Sequence, residues 1–525
     1  MPTTERGHRV TLGDFGVRML AAPSGFPAEA GSIARILSTP VQYANTTRHL
    51  RAGQMSTTTA PQPTQQTGRQ AEQAATPGLS HSLRPRHLSM IALGGVIGAG
   101  LFVGSGAGIA AAGPSIVLAF AASGVLVMLI MRMLGEMSAA RPASGSFSVH
   151  AEKEIGAWAG FASGWLFWLL LCVGVSAEAT GAAGIMTSWL PGTPTWMWVA
   201  LFMSFFCASN LTAVKNFGEF EFWFAAIKVA AIVGFLVLGV LAVLGVVGNG
   251  APGLTNLTGH GGFLPHGVNG LVTGLLASVF AYGGLETVTI AAAESKDPVR
   301  SVGNAVRTAM WRIAIFYVGS MAVIVTLLPW NNPNVVKNGP YVATLNLIGV
   351  PAAAQIMNVV VLIALLSAMN ANIYGSSRMA YSLVQRGLGP KALARVRGGV
   401  PRLAVLASSA FGFFAVLLNF WWPTTVFAWL LNAVGAAVLV VWAFVCVAQL
   451  RMRRRLEREA PERLTVRMWA FPYLTWVALA GVVAVLTLML LSQGNRVQLA
   501  TTLGATGVLS LLGLVWQRKT VRSRS

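Results

Sequence analysis

From residue 88 onward, long apolar runs alternate with short polar joints. The runs fall at 88–110, 114–134, 157–189, 195–213, 219–246, 268–292, 309–329, 355–385, 402–420, 424–448, 471–492 and 498–516. Each supplies about 20 residues or more, the length a helix needs to cross the hydrocarbon core of a bilayer. Lipid offers a backbone no hydrogen bonds, so such runs must satisfy their own N–H and C=O groups, as α-helices do. The pattern predicts an all-α membrane protein with twelve transmembrane helices. A weakly apolar piece, 340–354, reads as an external helix capping the eighth span. Residues 1–84 are polar, rich in Ser, Thr, Gln, Ala and Arg, and read as a disordered cytoplasmic tail. Met55 opens MSTTTAPQPTQQ and is an alternative start, which would make 1–54 an extension.

Composition agrees with the pattern: 54% of residues are hydrophobic, 10% are charged, and the mean hydropathy is +0.64. The net charge of +21 alone would suggest a nucleic-acid partner. Its placement points to the bilayer instead, because the cations gather in joints and tails. With both termini cytoplasmic, 34 of the 37 Lys and Arg residues lie inside and two, Lys337 and Arg496, lie outside. The remaining one, Lys228, sits in the fifth run. The three cysteines, Cys172, Cys207 and Cys446, lie in apolar runs and imply no disulfide framework. No His/Cys/carboxylate cluster has metal-ligand spacing, and His260 and His266 fall in a glycine-rich outer joint. No metal, cofactor or enzymatic chemistry is expected.

The first run contains GGVIGAGLFVGSGAG (94–108), in which seven of fifteen residues are glycine. Interior glycine costs a helix about 0.5–1 kcal/mol relative to alanine, so this is a poor straight span. A nucleotide-binding loop does not fit: Gly98 and Gly100 begin a GxGxxG pattern, but Val103 breaks it and no strand precedes it. Two readings remain, close packing by small residues and a broken helix whose backbone groups line a polar cavity. The sixth run has a corresponding interruption at Tyr282-Gly283-Gly284. The two runs enter the membrane from opposite sides. Paired breaks five spans apart predict an inverted repeat, spans 1–5 against 6–10, with a binding site between the broken helices.

Ionisable residues inside spans are functional candidates by default. Glu178 lies mid-span in VGVSAEATGAAG, Glu286 follows the second break, and Lys228 is taken as the one internal cation; Glu219 and Glu221 are assigned to the end of the fifth span. Snorkelling is the alternative for Lys228, and capping of the broken helix the alternative for Glu286.

These stretches are where a resemblance becomes specific. GGVIGAGLFVGSG (94–106), LGEMSAARPASGSF (134–147), KNFGEFEFWFAAIKV (215–229), FAYGGLETVTIAAAESKDP (280–298) and SSRMAYSLVQRG (376–387) resemble the amino acid–polyamine–organocation superfamily, in its bacterial amino acid transporter branch. The likeness runs from residue 85 to about 518. Within the branch, ETVTIAAAES, WRIAIFYVGS, VAQLRMRR and VRMWAFPYLTW look most like GABA permeases. Ala99 departs from the pattern, standing where the family usually has a small hydroxyl residue.

The resemblance implies a leucine-transporter-like 5+5 fold with broken helices 1 and 6. It divides the chain into a transport core at 85–448, a basic cytoplasmic loop at 449–470, helices 11 and 12 at 471–516 and a cytoplasmic tail at 517–525. It implies a substrate carboxylate on backbone N–H groups near Gly98, Ala99 and Gly100. The amino group would meet carbonyls around Val96, Ile97 and the 280–283 segment, from Phe280 to Gly283, with Tyr282 near the lid. Glu178 would face the amino group of a longer substrate such as GABA, and Glu286 would adjoin the second break. Lys228 aligns with the basic residue that replaces a sodium site in proton-coupled relatives, and Ser367 or Asn370 on span 8 would complete that coupling site. The expected function is import of a small, GABA-like amino acid across the plasma (inner) membrane by proton symport. The alternatives are an exchanger, or a permease for aromatic, cationic or small neutral amino acids. A channel or a transporter-like nutrient sensor is the reading from another class. It is disfavoured because a channel needs a continuous pore and no folded soluble sensor domain is evident.

Overall fold

A computed structural model describes residues 97–141, 145–212, 214–248, 254–286, 298–492 and 496–522. A π-helical turn, Gly100–Gly104, leads into α1 (Ser105–Ala112), and a 3₁₀ turn at Gly113–Ser115 joins it to α2 (Ile116–Ala140). Next come α3 (Ser146–Glu154), α4 (Ala157–Trp189), α5 (Thr195–Thr212), α6 (Val214–Val243) and α7 (Gly267–Tyr282). After the second break, α8 (Pro298–Arg312) continues through a π-helical stretch, Ile313–Gly319, into α9 (Ser320–Leu327). The remaining helices are α10 (Pro340–Leu347), α11 (Pro351–Gln385), α12 (Arg402–Trp421), α13 (Val426–Glu459), α14 (Tyr473–Leu491) and α15 (Arg496–Arg522). Pro340 and Pro351 open their helices at the first turn, where no backbone donor is missed.

Among the described residues ten helices are long and apolar enough to cross a membrane. The difference from twelve runs has two local causes. The first and second runs form one helical stretch of 41 residues, Gly100–Ala140, joined through the 3₁₀ turn. In the sixth run, α7 stops at Tyr282 after 16 residues, because Gly283 leaves the helical conformation with ψ 139°. The 340–354 piece contains α10, packed against α11.

Burial separates the interior helices from the peripheral ones. In an 18-residue apolar stretch of α4, 72% of residues are buried, and in α13 61%, against 28% in α14 and 17% in α15. Helices α4 and α13 therefore form the spine, while α14 and α15 present their faces to lipid. Helix α4 packs on α11, α13, α12 and α5, and α7 packs on α1, α2 and α13. Mid-span residues of α4 and α11 and the end of α7 thus share one interior.

At the Arg-rich end of α13, a polar cluster ties the outer helices to this spine. The buried Glu136 carboxylate of α2 accepts hydrogen bonds from Gln449 Nε2 (2.9 Å), Arg453 Nη1 (2.6 Å) and the Met468 backbone N–H (2.8 Å). Thr475 of α14 donates to Gln449 Oε1 at 3.0 Å. Removing Glu136 takes from Arg453, Gln449 and the Met468 N–H the one buried carboxylate they share, a loss of about 3–5 kcal/mol. Glu136→Ala is expected to lower the unfolding temperature in detergent clearly. Glu457→Ala, which deletes an exposed i,i+4 partner of Arg453, should have little effect, because such pairs are worth about 0.5 kcal/mol. Equal shifts for the two variants would contradict this assignment.

Candidate functional site

The first break is described from Ile97 onward. Ile97 and Gly98 are outside any helix, Ala99 begins the helical path, and the Phe102 N–H reaches the Gly98 carbonyl at 3.2 Å. The Ala99 N–H stands at the first helical residue of the described stretch. It donates to the side chain of Glu178 in α4, at 3.2 Å to Oε1 and 3.0 Å to Oε2. Glycine is what permits this approach. A Cβ on Gly98 would collide with that carboxylate and lie 2.9 Å from Ala368 Cβ of α11.

Gly100 performs the same service towards the second break. A Cβ there would lie 2.6 Å from Ala281 Cα and 2.9 Å from the Phe280 ring. The two interrupted helices therefore touch backbone to backbone. At the second break the Gly283 N–H bonds back to Phe280 O at 3.0 Å, and Gly284 takes a φ of +94°, which favours glycine. The Gly284 N–H donates to Glu286 Oε2 at 3.1 Å, and Trp442 Nε1 of α13 donates to Glu286 Oε1. Glu286 thus receives the backbone donor exposed at the break.

A second buried polar group stands on α6 and α11. Lys228 and Glu221 are both fully buried, with Nζ 3.9 Å from Oε1. Ser367 Oγ donates to both carboxylate oxygens of Glu221 at 2.9 Å. Asn370, one turn on, accepts from Asn210 Nδ2 of α5 at 2.7 Å. The Lys228 ammonium also lies in the field of Glu178 and of Arg312.

The structure corrects two assignments made from sequence. Glu221 is not an end residue but a buried partner of Lys228. Its position seven residues before Lys228, about two helical turns on one face, was the available signal. Lys228 is not the sole internal cation: Arg312 is buried within the apolar stretch Val306–Leu327. Tyr282, expected near a lid, is buried with its hydroxyl donating to Phe120 O at 2.9 Å and its ring stacked on Tyr317 at 4.7 Å. Val96 lies outside the described residues.

A cavity of about 520 Å³ opens beside the first break. Phe102, Thr180, Tyr341, Asn358 and Phe427 contribute to its wall. Phe102 is three residues beyond Ala99, and Thr180 is two beyond Glu178. Phe427 stands at the start of α13, so the cavity lies at the end of the bundle opposite the arginines of residues 451–458.

Membrane-length helices with charges buried among them, and a cavity lined partly by the helices that carry Ala99 and Glu178, define a multi-pass membrane carrier. Residues 87–518 match the amino acid permease family, and the chain belongs to it. It is 44% identical over 450 residues to the gamma-aminobutyric acid permease of Bacillus subtilis (strain 168), covering 85% of this chain and 96% of that one. It is 45% identical over 446 residues to the aromatic amino acid transport protein AroP of Corynebacterium glutamicum, covering 83% and 95%. To the gamma-aminobutyric acid permease of Escherichia coli (strain K12) it is 41% identical over 445 residues, covering 84% and 95%. The chain is a transporter, not an enzyme.

The close contact at Gly100 generates a direct prediction. Gly100→Leu should abolish transport while the protein still inserts and resists heat in detergent, because the side chain must part the two broken helices. Uptake at normal rate and affinity in proteoliposomes would contradict it.

Proposed function

We propose that the chain imports a small, GABA-like amino acid across the plasma membrane by proton symport, with both termini in the cytoplasm. The observation that carries this reading is the Glu178 carboxylate on the Ala99 N–H. It supports a role for that backbone donor in binding carboxylates, the group all amino acids bring. Two carboxylates do not share one N–H without a proton between them. Substrate loading at Ala99 and Gly100 would then go with proton uptake at Glu178, which as an acid donates a hydrogen bond to the incoming group. The amino group would meet carbonyls at Val96, Ile97 and Phe280 to Gly283. Lys228, Glu221 and Ser367 form the relay through which that proton leaves on the other side.

Twelve spans, of which 1–5 and 6–10 form a 5+5 inverted repeat, are the frame for this alternation. Its support is the non-helical backbone at Ile97–Gly98 and at Gly283–Gly284, next to helices that touch at Gly100 and Ala281. A second substrate reading, an aromatic amino acid, is favoured by the 45% identity to a relative named for aromatic amino acid transport.

A panel of radiolabelled amino acids in proteoliposomes decides between the two. GABA or a small neutral amino acid should accumulate when the inward proton gradient is imposed, with sodium having no effect. Glu178→Gln should reduce gradient-driven accumulation at least about tenfold, worth roughly 1.4 kcal/mol. Lys228→Met should lose accumulation and keep slow exchange of internal for external substrate. Sodium-driven accumulation that ignores pH would overturn the coupling. Lys228→Met protein that still concentrates substrate would leave that residue a packing role.

A further inference from the structure

The cavity beside the first break has polar, almost uncharged walls. Thr180, Asn338, Asn346, Gln355 and Asn358 offer hydroxyl and amide groups, and Lys337 is the one charged residue among those that line it. Lys337 ends a single helical turn, Asn334–Lys337, and is exposed. No Asp or Glu is among the residues that line the cavity with it. The described joints at this end of the bundle, 190–194, 247–248, 254–267, 328–354 and 422–425, contain no Asp or Glu. A single-sign charge in a cleft with low-dielectric walls focuses its field along the cleft. Here the aromatic rings of Phe102, Tyr341 and Phe427 supply such walls. Phe102 and Tyr341 meet edge to face at 5.0 Å, on the side of the cavity next to the Ala99 break.

We propose that Lys337 makes this cavity a charge filter on the path to the site. It draws the carboxylate of a zwitterionic or anionic amino acid inward and holds back molecules of net positive charge. This rests on the amino acid transport reading above and narrows it, setting cationic amino acids outside the substrate class. The amide-bearing walls suit a zwitterion in transit, since they pair with either end of it and desolvate neither charge completely.

The test uses two competitors of the same carbon skeleton, lysine and 2-aminohexanoate, which differ by the ε-ammonium group. Each is titrated against uptake of the best-transported neutral amino acid by full-length protein in proteoliposomes at low ionic strength. One charge–charge contact in a watery cleft is worth about 1 kcal/mol, or about fivefold. Lysine is therefore expected to inhibit at least about fivefold more weakly than 2-aminohexanoate. Lys337→Gln should narrow that ratio, and Lys337→Glu should remove or reverse it. Raising the salt concentration should also narrow the ratio for the unaltered protein, as screening shortens the field. Lys337→Glu protein that transports normally and keeps the original ratio would overturn the filter alone. Lysine competing as well as 2-aminohexanoate against the unaltered protein would do the same. Failure of the unaltered protein to take up any amino acid would overturn the transport reading, and the filter with it.

Discussion

A backbone N–H that lipid cannot satisfy is the constraint on which the interior depends. Where the described first helix begins, the Ala99 N–H lies in a low-dielectric interior, and leaving it without a partner there would cost several kcal/mol. The protein meets this with Glu178 from the spine helix α4. At the second interruption it uses Glu286, on the Gly284 N–H and braced by Trp442. Each break is thus matched with a buried carboxylate, and each carboxylate is a charge that the interior must accommodate. The glycines follow from the same constraint: Gly98 leaves room for the carboxylate, and Gly100 lets the two breaks meet.

The charges near the first break are of both signs. Glu178 and Glu221 are buried with Lys228, and Arg312 lies within reach of the lysine's field. A set of this kind, drawn from three helices, responds as a unit when a proton or a zwitterion is added. That is a physical basis for coupling two movements. Glu286 is held by Trp442 and the local backbone, which suits a carboxylate that fixes a broken helix end.

Much of this was legible in the chain. Runs of apolar residues located the helices because the bilayer sets their length, and glycine clusters marked the interruptions because glycine is costly inside a helix. What escaped was tertiary or concerned helix depth. Hydropathy alone does not say whether Glu221, two turns before Lys228, lies at the membrane surface or inside it; packing of α6 against Ser367 of α11 decides that. Arg312 was counted with the polar joint because it follows a basic, amphipathic stretch. Nothing local to Glu178 tells that its partner is Ala99, 79 residues earlier in the chain. The sequence placed a substrate carboxylate at that N–H; the structure has the protein's own carboxylate there, and the competition between them is the core of the mechanism proposed.

That competition is measured most directly as proton linkage. Binding of the transported amino acid to purified protein can be followed by calorimetry in buffers of different ionisation enthalpy, which yields the protons exchanged on binding. The account predicts uptake approaching about one proton per amino acid bound at alkaline pH, and none in Glu178→Gln. Binding of the amino acid to the unaltered protein with no proton taken up at any pH would contradict it.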